Sequence, residues 1–434
     1  MSKVAFHTLG CKVNQYETEA MEKLFLDAGY SIVNEDELSD IYVINTCTVT
    51  NLSDRKSRQF IRKSKRKNEN SIVAVVGCYS QVSPDEVEKL NGVDVIIGTS
   101  DRNKIVDLCE EARLVNSPIN IVKSTREYKE FEKISVDEIK SKTRAYIKVQ
   151  DGCNQYCSYC IIPYARGPIR SRQLEDVLEE VESLSQSGFR EIILTGIHIA
   201  SYGKDLGDID LARLIKEISR VDGIERIRLS SVEPNLISDN FMKVILDSRK
   251  VCDHFHLSLQ SGSNSVLKRM HRRYTREEYM KKVHLIRKYM PNAGITTDII
   301  VGFPGETDEE FNETLEFVKD VGFSKIHVFK YSPREGTPAA GYENQIPGDI
   351  KSHRSKNLIK LGEELSQKFN SKFLGKTLKV LYEMETDDEA SYLEGYTSNY
   401  IRVKSKGNTG IAGQIIETNI ISLEEDLLIG EIRR

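Results

Sequence analysis

Apolar positions in this chain follow three rhythms, one after another. In the first third, short continuous runs (Val4-Ala5-Phe6, Ile41-Tyr42-Val43-Ile44, Ile72-Val73-Ala74-Val75-Val76) alternate with stretches spaced like one helix face, such as Glu17 to Ala28 and Asn103 to Arg113. Unbroken β-branched runs separated by helices predict βαβ units and a buried parallel sheet. Residues 114 to 143 are polar, charged and poorly periodic, and they read as a linker. The strand-then-helix alternation then returns six times, with strands expected near 145–150, 190–195, 225–230, 254–259, 295–301 and 325–331. Helical patterns such as Leu174 to Ser187 and Asp308 to Val321 fall between them. Six units are too few for a closed eight-stranded barrel. A long helical stretch, Ile350 to Phe373, ends at Gly375, where short alternating runs begin: Leu378 to Tyr382, Tyr392 to Tyr396, Tyr400 to Lys404 and Gly413 to Ile416. Such runs predict a small barrel of the oligonucleotide-binding kind. The expected fold class is therefore α/β: an N-terminal parallel α/β sheet domain (1–113), a linker (114–138), a partial six-unit β/α barrel (139–371) and a small OB-like β-barrel (372–434).

With 434 residues, 39% hydrophobic and 29% charged, the chain has enough material for two or three domains, each with its own core. No run of ~18 apolar residues occurs, so no membrane span is expected. Thr8-Leu9-Gly10-Cys11 mimics a lipoprotein cleavage box, but the segment before it is too short and carries Lys3 and His7. A cytoplasmic location is expected, where thiols stay reduced. The net charge of −4 means that any nucleic-acid surface must come from local clustering. Such clusters exist. Arg55 to Lys67 holds eight basic residues in thirteen and no acid, including Arg55, Lys56, Arg58, Arg62 and Lys63. A charge run is usually a solvated helix face, but a one-signed run in an acidic chain is better explained by phosphate contact. Arg166, Arg170, Arg172, Arg272 and Arg273, near the expected barrel mouth, extend the same reading, since the guanidinium fork suits phosphate. From Lys372 onward there are eight basic and eleven acidic residues, so RNA contact there would rest on a local strip or on Tyr396 and Tyr400.

Cysteines sharpen the picture. Cys153, Cys157 and Cys160 stand as C-x3-C-x2-C in Gly152-Cys153-Asn154-Gln155-Tyr156-Cys157-Ser158-Tyr159-Cys160, just after an apolar run. Thiolates are the usual ligands of iron–sulfur clusters, and a closed four-iron cluster takes four. Three close ligands leave one iron open to something that is not protein. A zinc site completed by a distant residue, or a redox thiol pair, is the alternative. Cys11, Cys47 and Cys78 each follow an expected strand's carboxyl end, where ligands collect in parallel sheets, so they should converge. Cys109 and Cys252 read as core residues. Polar residues and glycines at the other strand ends, among them Gly196, Ser258, Gln260 and Gly302, are candidate ligand contacts, or mark nothing more than tight turns.

The stretch around Cys153 resembles the radical S-adenosylmethionine (SAM) signature, C-x3-C-x-aromatic-C, with Tyr159 as the aromatic. That resemblance implies a four-iron cluster whose open iron chelates SAM, which is cleaved to a 5′-deoxyadenosyl radical, in a partial six-unit barrel. It makes Tyr159, Gly196, Ser258, Gln260 and Gly302 the candidate SAM contacts; the Gly-Gly-Glu found after the second strand in much of the superfamily is absent. The tail resembles a TRAM domain. Two cysteine triads followed by such a tail resemble the methylthiotransferases over essentially the whole chain. By that resemblance Cys11, Cys47 and Cys78 hold a second, sulfur-bearing four-iron cluster, and no catalytic side chain is needed beyond the cluster ligands. It also implies an electron donor such as flavodoxin or ferredoxin. Thr8-Leu9-Gly10-Cys11-Lys12-Val13-Asn14-Gln15-Tyr16-Glu17 and Gln150-Asp151-Gly152-Cys153 are similar to the branch acting on threonylcarbamoyladenosine beside the tRNA anticodon. Prenylated adenosine or a ribosomal protein are the substrates of the sister branches. A non-catalytic, metal-bearing RNA-binding protein is the reading from another class.

Overall fold

The computed structural model describes residues 2–115, 117–135, 143–385, 392–407 and 409–433. Its first unit is a parallel sheet of β1 (Lys3–Thr8), β2 (Ser31–Val33), β3 (Ile41–Thr46), β4 (Ile72–Gly77), β5 (Val95–Ile96) and β6 (Ile119–Asn120), in the order β2-β1-β3-β4-β5-β6. Every residue of β3 and β4 is buried, as expected for central parallel strands covered on both faces. The sheet runs past residue 113: β6 lies in the segment read as linker and pairs with β5. That segment is polar yet packed, because its polar groups find partners. Tyr128 donates from its hydroxyl to Gln81 at 2.8 Å, and Glu132 pairs with the buried Arg102. The last residues of the expected linker lie outside the described residues.

The middle unit holds β7 (Arg144–Asp151), β8 (Arg170–Ser171), β9 (Glu191–Gly196), β10 (Arg226–Leu229), β11 (His254–His256), β12 (Gly294–Val301) and β13 (Lys325–Lys330). Two sheets, β10-β9-β7-β8 and β11-β12-β13, are stitched by single parallel bridges from Ile227 to Val251 and from Val232 to Leu257. All neighbours are parallel except the short β8, which runs against β7. Among the described strands no ladder joins β8 to β13, so the wall curves through six parallel strands and stays open. One apolar core runs from Ala145 on β7 to Leu361 on the helix Gly348–Asn370.

The tail is a closed barrel of β14 (Thr377–Glu385), β15 (Tyr392–Thr397), β16 (Arg402–Lys406), β17 (Ile415–Glu424) and β18 (Leu427–Ile432). β18, not singled out from the sequence, closes it by pairing parallel to β16 and antiparallel to β17. Arginines of β10 fasten this barrel to the wall. Arg226 donates to the carbonyls of Lys379 and Tyr396 at 2.8 and 3.0 Å, and Arg228 to those of Thr397 and Ser398 at 3.2 and 3.0 Å. Arg144 of β7 pairs with Glu383 at 2.6 Å. No helix among the described residues is long and apolar enough to cross a membrane.

Candidate active site

The first triad is assembled by the carboxyl ends of three adjacent strands. Gly10 follows β1 with φ +116°, and a Cβ there would stand 2.9 Å from the Cβ of Cys47 and 3.2 Å from its sulfur. Only glycine lets the loops of Cys11 and Cys47 approach this closely. Cys78 opens a short helix directly after β4. Asn14, in the first turn of the helix Lys12–Asp27, ties the strand ends together, donating to the carbonyls of Leu9 and Thr46 at 2.8 and 2.9 Å. Cys47 and Cys78 are buried and Cys11 is exposed. Burial pushes the Cys78 thiol up to about 12, with Arg166 opposing the shift and Cys47 and Cys11 adding to it. Burial likewise raises Cys47. Arg166 Nε donates to Cys78 Sγ at 3.3 Å.

The second triad sits in the loop after β7. Gly152, at φ +74°, passes so close to Pro168 that a Cβ would meet its carbonyl oxygen at 1.8 Å. Cys153 N donates to the Gly167 carbonyl at 3.0 Å, and Ser158 pins the loop to the carbonyls of Met270 and Arg269 at 3.1 and 2.7 Å. Cys153 and Cys157 are buried, and Cys160 is partly so. Burial raises Cys153 to about 11 and, with Cys157 adding, Cys160 to about 12. Arg272 donates to Cys157 Sγ at 3.3 Å and to Glu233 at 2.6 Å. Each triad thus carries one guanidinium on one of its sulfurs.

One cavity of about 840 Å³ is lined by Cys11 of the first triad, by Cys153, Cys157 and Cys160 of the second, and by Tyr396, Tyr400 and Arg402 from the tail. Sets of three soft sulfur donors, open on the cavity side and met by N–H donors, suit four-iron clusters with one iron left for a non-protein ligand. Among the described residues no three His, Cys, Asp or Glu side chains gather tightly enough for a single metal ion.

Of the candidate SAM contacts, Gly196 and Tyr159 line the cavity with the second triad, and Tyr159 also packs against Val266, Met270 and Phe303. Ser258 and Gln260 do not line it. Gln260, at φ +71°, is held in backbone bonding with Asp298 and Ile300 of β12. Gly302 is corrected: its N–H donates to Glu306, and the space beside it is filled by Lys351. His198 and Glu233, which line the cavity from the ends of β9 and β10, were not foreseen as site residues. Burial lowers the pKa of His198, and Gln150 accepts its backbone N–H at 2.7 Å.

The basic candidates divide. Arg55, Lys56 and Arg62 project from the helix Asn51–Lys67 into solvent, and Arg273 is also exposed. Arg58 pairs with Glu86 at 3.0 Å and Lys63 with Asp36 at 2.9 Å. Arg166, Arg170 and Arg172 are corrected, because their side chains are buried on carboxylates and offer no surface to a phosphate; Arg272 is corrected too, since it lines the cavity but is committed to Glu233 and to the Cys157 sulfur. Arg166 meets Glu17 at 3.0 Å and Asp151 at 3.3 Å, and Arg172 pairs with Glu180. Burial alone would raise Glu17, but Arg102, Arg166 and Lys148 hold it well below the usual carboxylate range. Glu17 follows the first triad's opening loop and Asp151 precedes the second, so this ion network joins the two sites. Tyr396 and Tyr400 face inward as well. They stack at 4.9 Å, with Arg144 lying 4.5 Å from the Tyr396 ring centroid and Arg228 4.5 Å from that of Tyr400. Cys109 and Cys252 are both buried, Cys109 among the apolar residues of the first unit.

The family profile of the radical SAM superfamily matches residues 147–318, and one described as uncharacterized protein family UPF0004 matches residues 3–98. Threonylcarbamoyladenosine tRNA methylthiotransferase MtaB of Bacillus subtilis is 44% identical over 97% of this chain and 94% of its own length. The protein of the same name from Aquifex aeolicus is 41% identical over 93% and 97%. A tRNA-2-methylthio-N(6)-dimethylallyladenosine synthase of Clostridium tetani is 37% identical over 98% and 95%. Among solved structures, the radical SAM methyltransferase TsrM from Kitasatospora setae shares the fold, with TM-score 0.58 and 17% identity over 78% of this chain and 77% of that one. Two four-iron clusters and SAM are accordingly the cofactors of this protein. With both cysteine triads in place and relatives matching over nearly its full length, the chain belongs to the methylthiotransferase family of radical SAM enzymes.

Proposed function

We propose that this chain converts N6-threonylcarbamoyladenosine, 3′ of the anticodon in tRNA, to its 2-methylthio derivative. The observation that carries the reading is the shared cavity, in which Cys11 of one triad and all three cysteines of the other open onto the same space. When bound, SAM and the two clusters supply the radical and the sulfur. The chain's own residues position and shield. Cys153, Cys157 and Cys160 hold the SAM cluster and Cys11, Cys47 and Cys78 the auxiliary one, while Tyr159 and Gly196 line the SAM side of the cavity. Arg55, Lys56, Arg62 and Arg273 take the RNA backbone, and a flipped-out base enters between the three units at a cost of a few kcal/mol for unstacking. The working division is a first unit that takes in β6 and the packed segment after it, then residues 139–371 and 372–434, in the cytoplasm, with flavodoxin or ferredoxin as reductant.

Relatives named for threonylcarbamoyl- and for dimethylallyladenosine both match along this chain, so the test must separate the two bases. Deleting the gene in its host and analysing digested tRNA by mass spectrometry does so. Loss of the 2-methylthio-threonylcarbamoyl nucleoside, with its unthiolated precursor accumulating, is expected. Loss of the prenyl derivative instead would transfer the chain to the sister substrate.

A further inference from the structure

This inference rests on the substrate proposed above and deepens it. Threonylcarbamoyladenosine differs from a prenylated base in one decisive respect: its substituent ends in a carboxylate. A cavity that accepts it must provide a cation not already committed to a protein acid.

The cavity is lined by four Lys and Arg side chains: Lys12, Arg272, Lys325 and Arg402. Arg272 is held by Glu233 at 2.6 Å, Arg402 by Glu394 at 2.6 Å, and Lys325 faces Asp426 at 3.8 Å. Just behind the wall, Arg144 is held by Glu383 and Arg228 by Glu191. Among the described residues Lys12 makes no ion pair, and it is half-buried between the first triad and the tail. Lys12 is thus an ammonium drawn partly out of water, beside Cys11, with no partner of its own among these residues. Leaving such a charge unpaired is costly, and a ligand carboxylate offsets that cost.

We infer that Lys12 binds the carboxylate of the threonylcarbamoyl group and orients the modified base between the two triads. A prenyl group entering the same space would strip water from Lys12 and give nothing back. Rejection of the apolar substituent therefore comes from an unpaired, half-buried charge left without a partner.

The test is binding of the holoenzyme to synthetic anticodon stem-loops carrying threonylcarbamoyladenosine, its methyl ester, or unmodified adenosine. The wild type is expected to bind the free acid about 30-fold or more tighter than the ester. Lys12→Met should bind the two alike, Lys12→Arg should keep the preference, and iron content should stay at the wild-type level in both. A preference retained by Lys12→Met overturns the assignment of Lys12 while leaving the proposed substrate intact. Wild-type indifference to esterification overturns it whatever the variants do, with no variant fold in question. A wild type that methylthiolates prenylated RNA and not the threonylcarbamoyl form removes the substrate proposal, and this inference with it.

Discussion

One guanidinium rests against a sulfur at each triad, Arg166 on Cys78 and Arg272 on Cys157, both at 3.3 Å. Hydrogen bonds to cluster sulfurs stabilise the more negative reduced state and so raise the reduction potential. Arg272→Met should therefore lower the potential of the SAM cluster and leave the other cluster's unchanged. A redox titration followed by electron paramagnetic resonance reads both, and an unshifted SAM cluster would remove this role from Arg272. The cysteines separate the two sites more sharply. On the proposed assignment Cys157→Ala takes one of three ligands from the SAM cluster, and reductive SAM cleavage to 5′-deoxyadenosine should cease. Cys47→Ala lies in another unit. It should reduce iron content, keep residual 5′-deoxyadenosine formation and abolish the methylthio product. Efficient product from Cys47→Ala would contradict a sulfur-bearing role for the first triad.

At the scale of elements, the helix Asn51–Lys67 shows what a charge run can and cannot say. Its buried face carries Asp54, Ser57, Ile61 and Ser64, and its exposed face carries Arg55, Lys56 and Arg62. Asp54 is tied to Arg334 at 2.6 Å, fixing the helix against the barrel unit. Replacing Arg55, Lys56 and Arg62 together by alanine should weaken tRNA binding and flatten its salt dependence. The slope of log affinity against log salt should fall by roughly 0.7–0.9 for each phosphate that is no longer neutralised. Filter binding across a salt series measures this, and an unchanged slope would place the RNA elsewhere. The strand arginines behave otherwise. Arg226 and Arg228 of β10 spend their charge on Glu191 and on carbonyls of the tail. The tail is thereby fixed over the cavity, with Tyr396 and Tyr400 turned inward.

At the scale of the whole molecule, the first unit is held against the barrel by buried charge more than by a large apolar seam. Tyr16, Ala20, Ile134 and Tyr146 form a small apolar contact, while Glu17 collects Arg102 at 3.1 Å, Lys148 at 2.7 Å and Arg166. Breaking one side of such a network leaves uncompensated buried charge. Arg102→Met should destabilise the protein by about 3–5 kcal/mol. The exposed pair Arg190 and Glu225 is the control, and Arg190→Met should cost less than about 1 kcal/mol. Urea denaturation of both variants decides whether the network carries this weight. The sequence by itself determined the repeated strand-and-helix order, both cysteine triads and the change to a small terminal barrel. These rest on local properties: apolar periodicity, thiol spacing, and turn residues at strand ends. It could not tell Arg55, which faces water, from Arg166, which is sealed against Glu17 and Asp151, because a basic residue reads the same until its partners are known. Nor could it place β18, whose pairing with β16 spans a turn and another strand, or rule out Gly302 as a ligand contact, since Lys351 fills the space beside it. Those outcomes depend on which distant carboxylate, carbonyl or side chain occupies the neighbouring volume, and only the packed tertiary structure decides that.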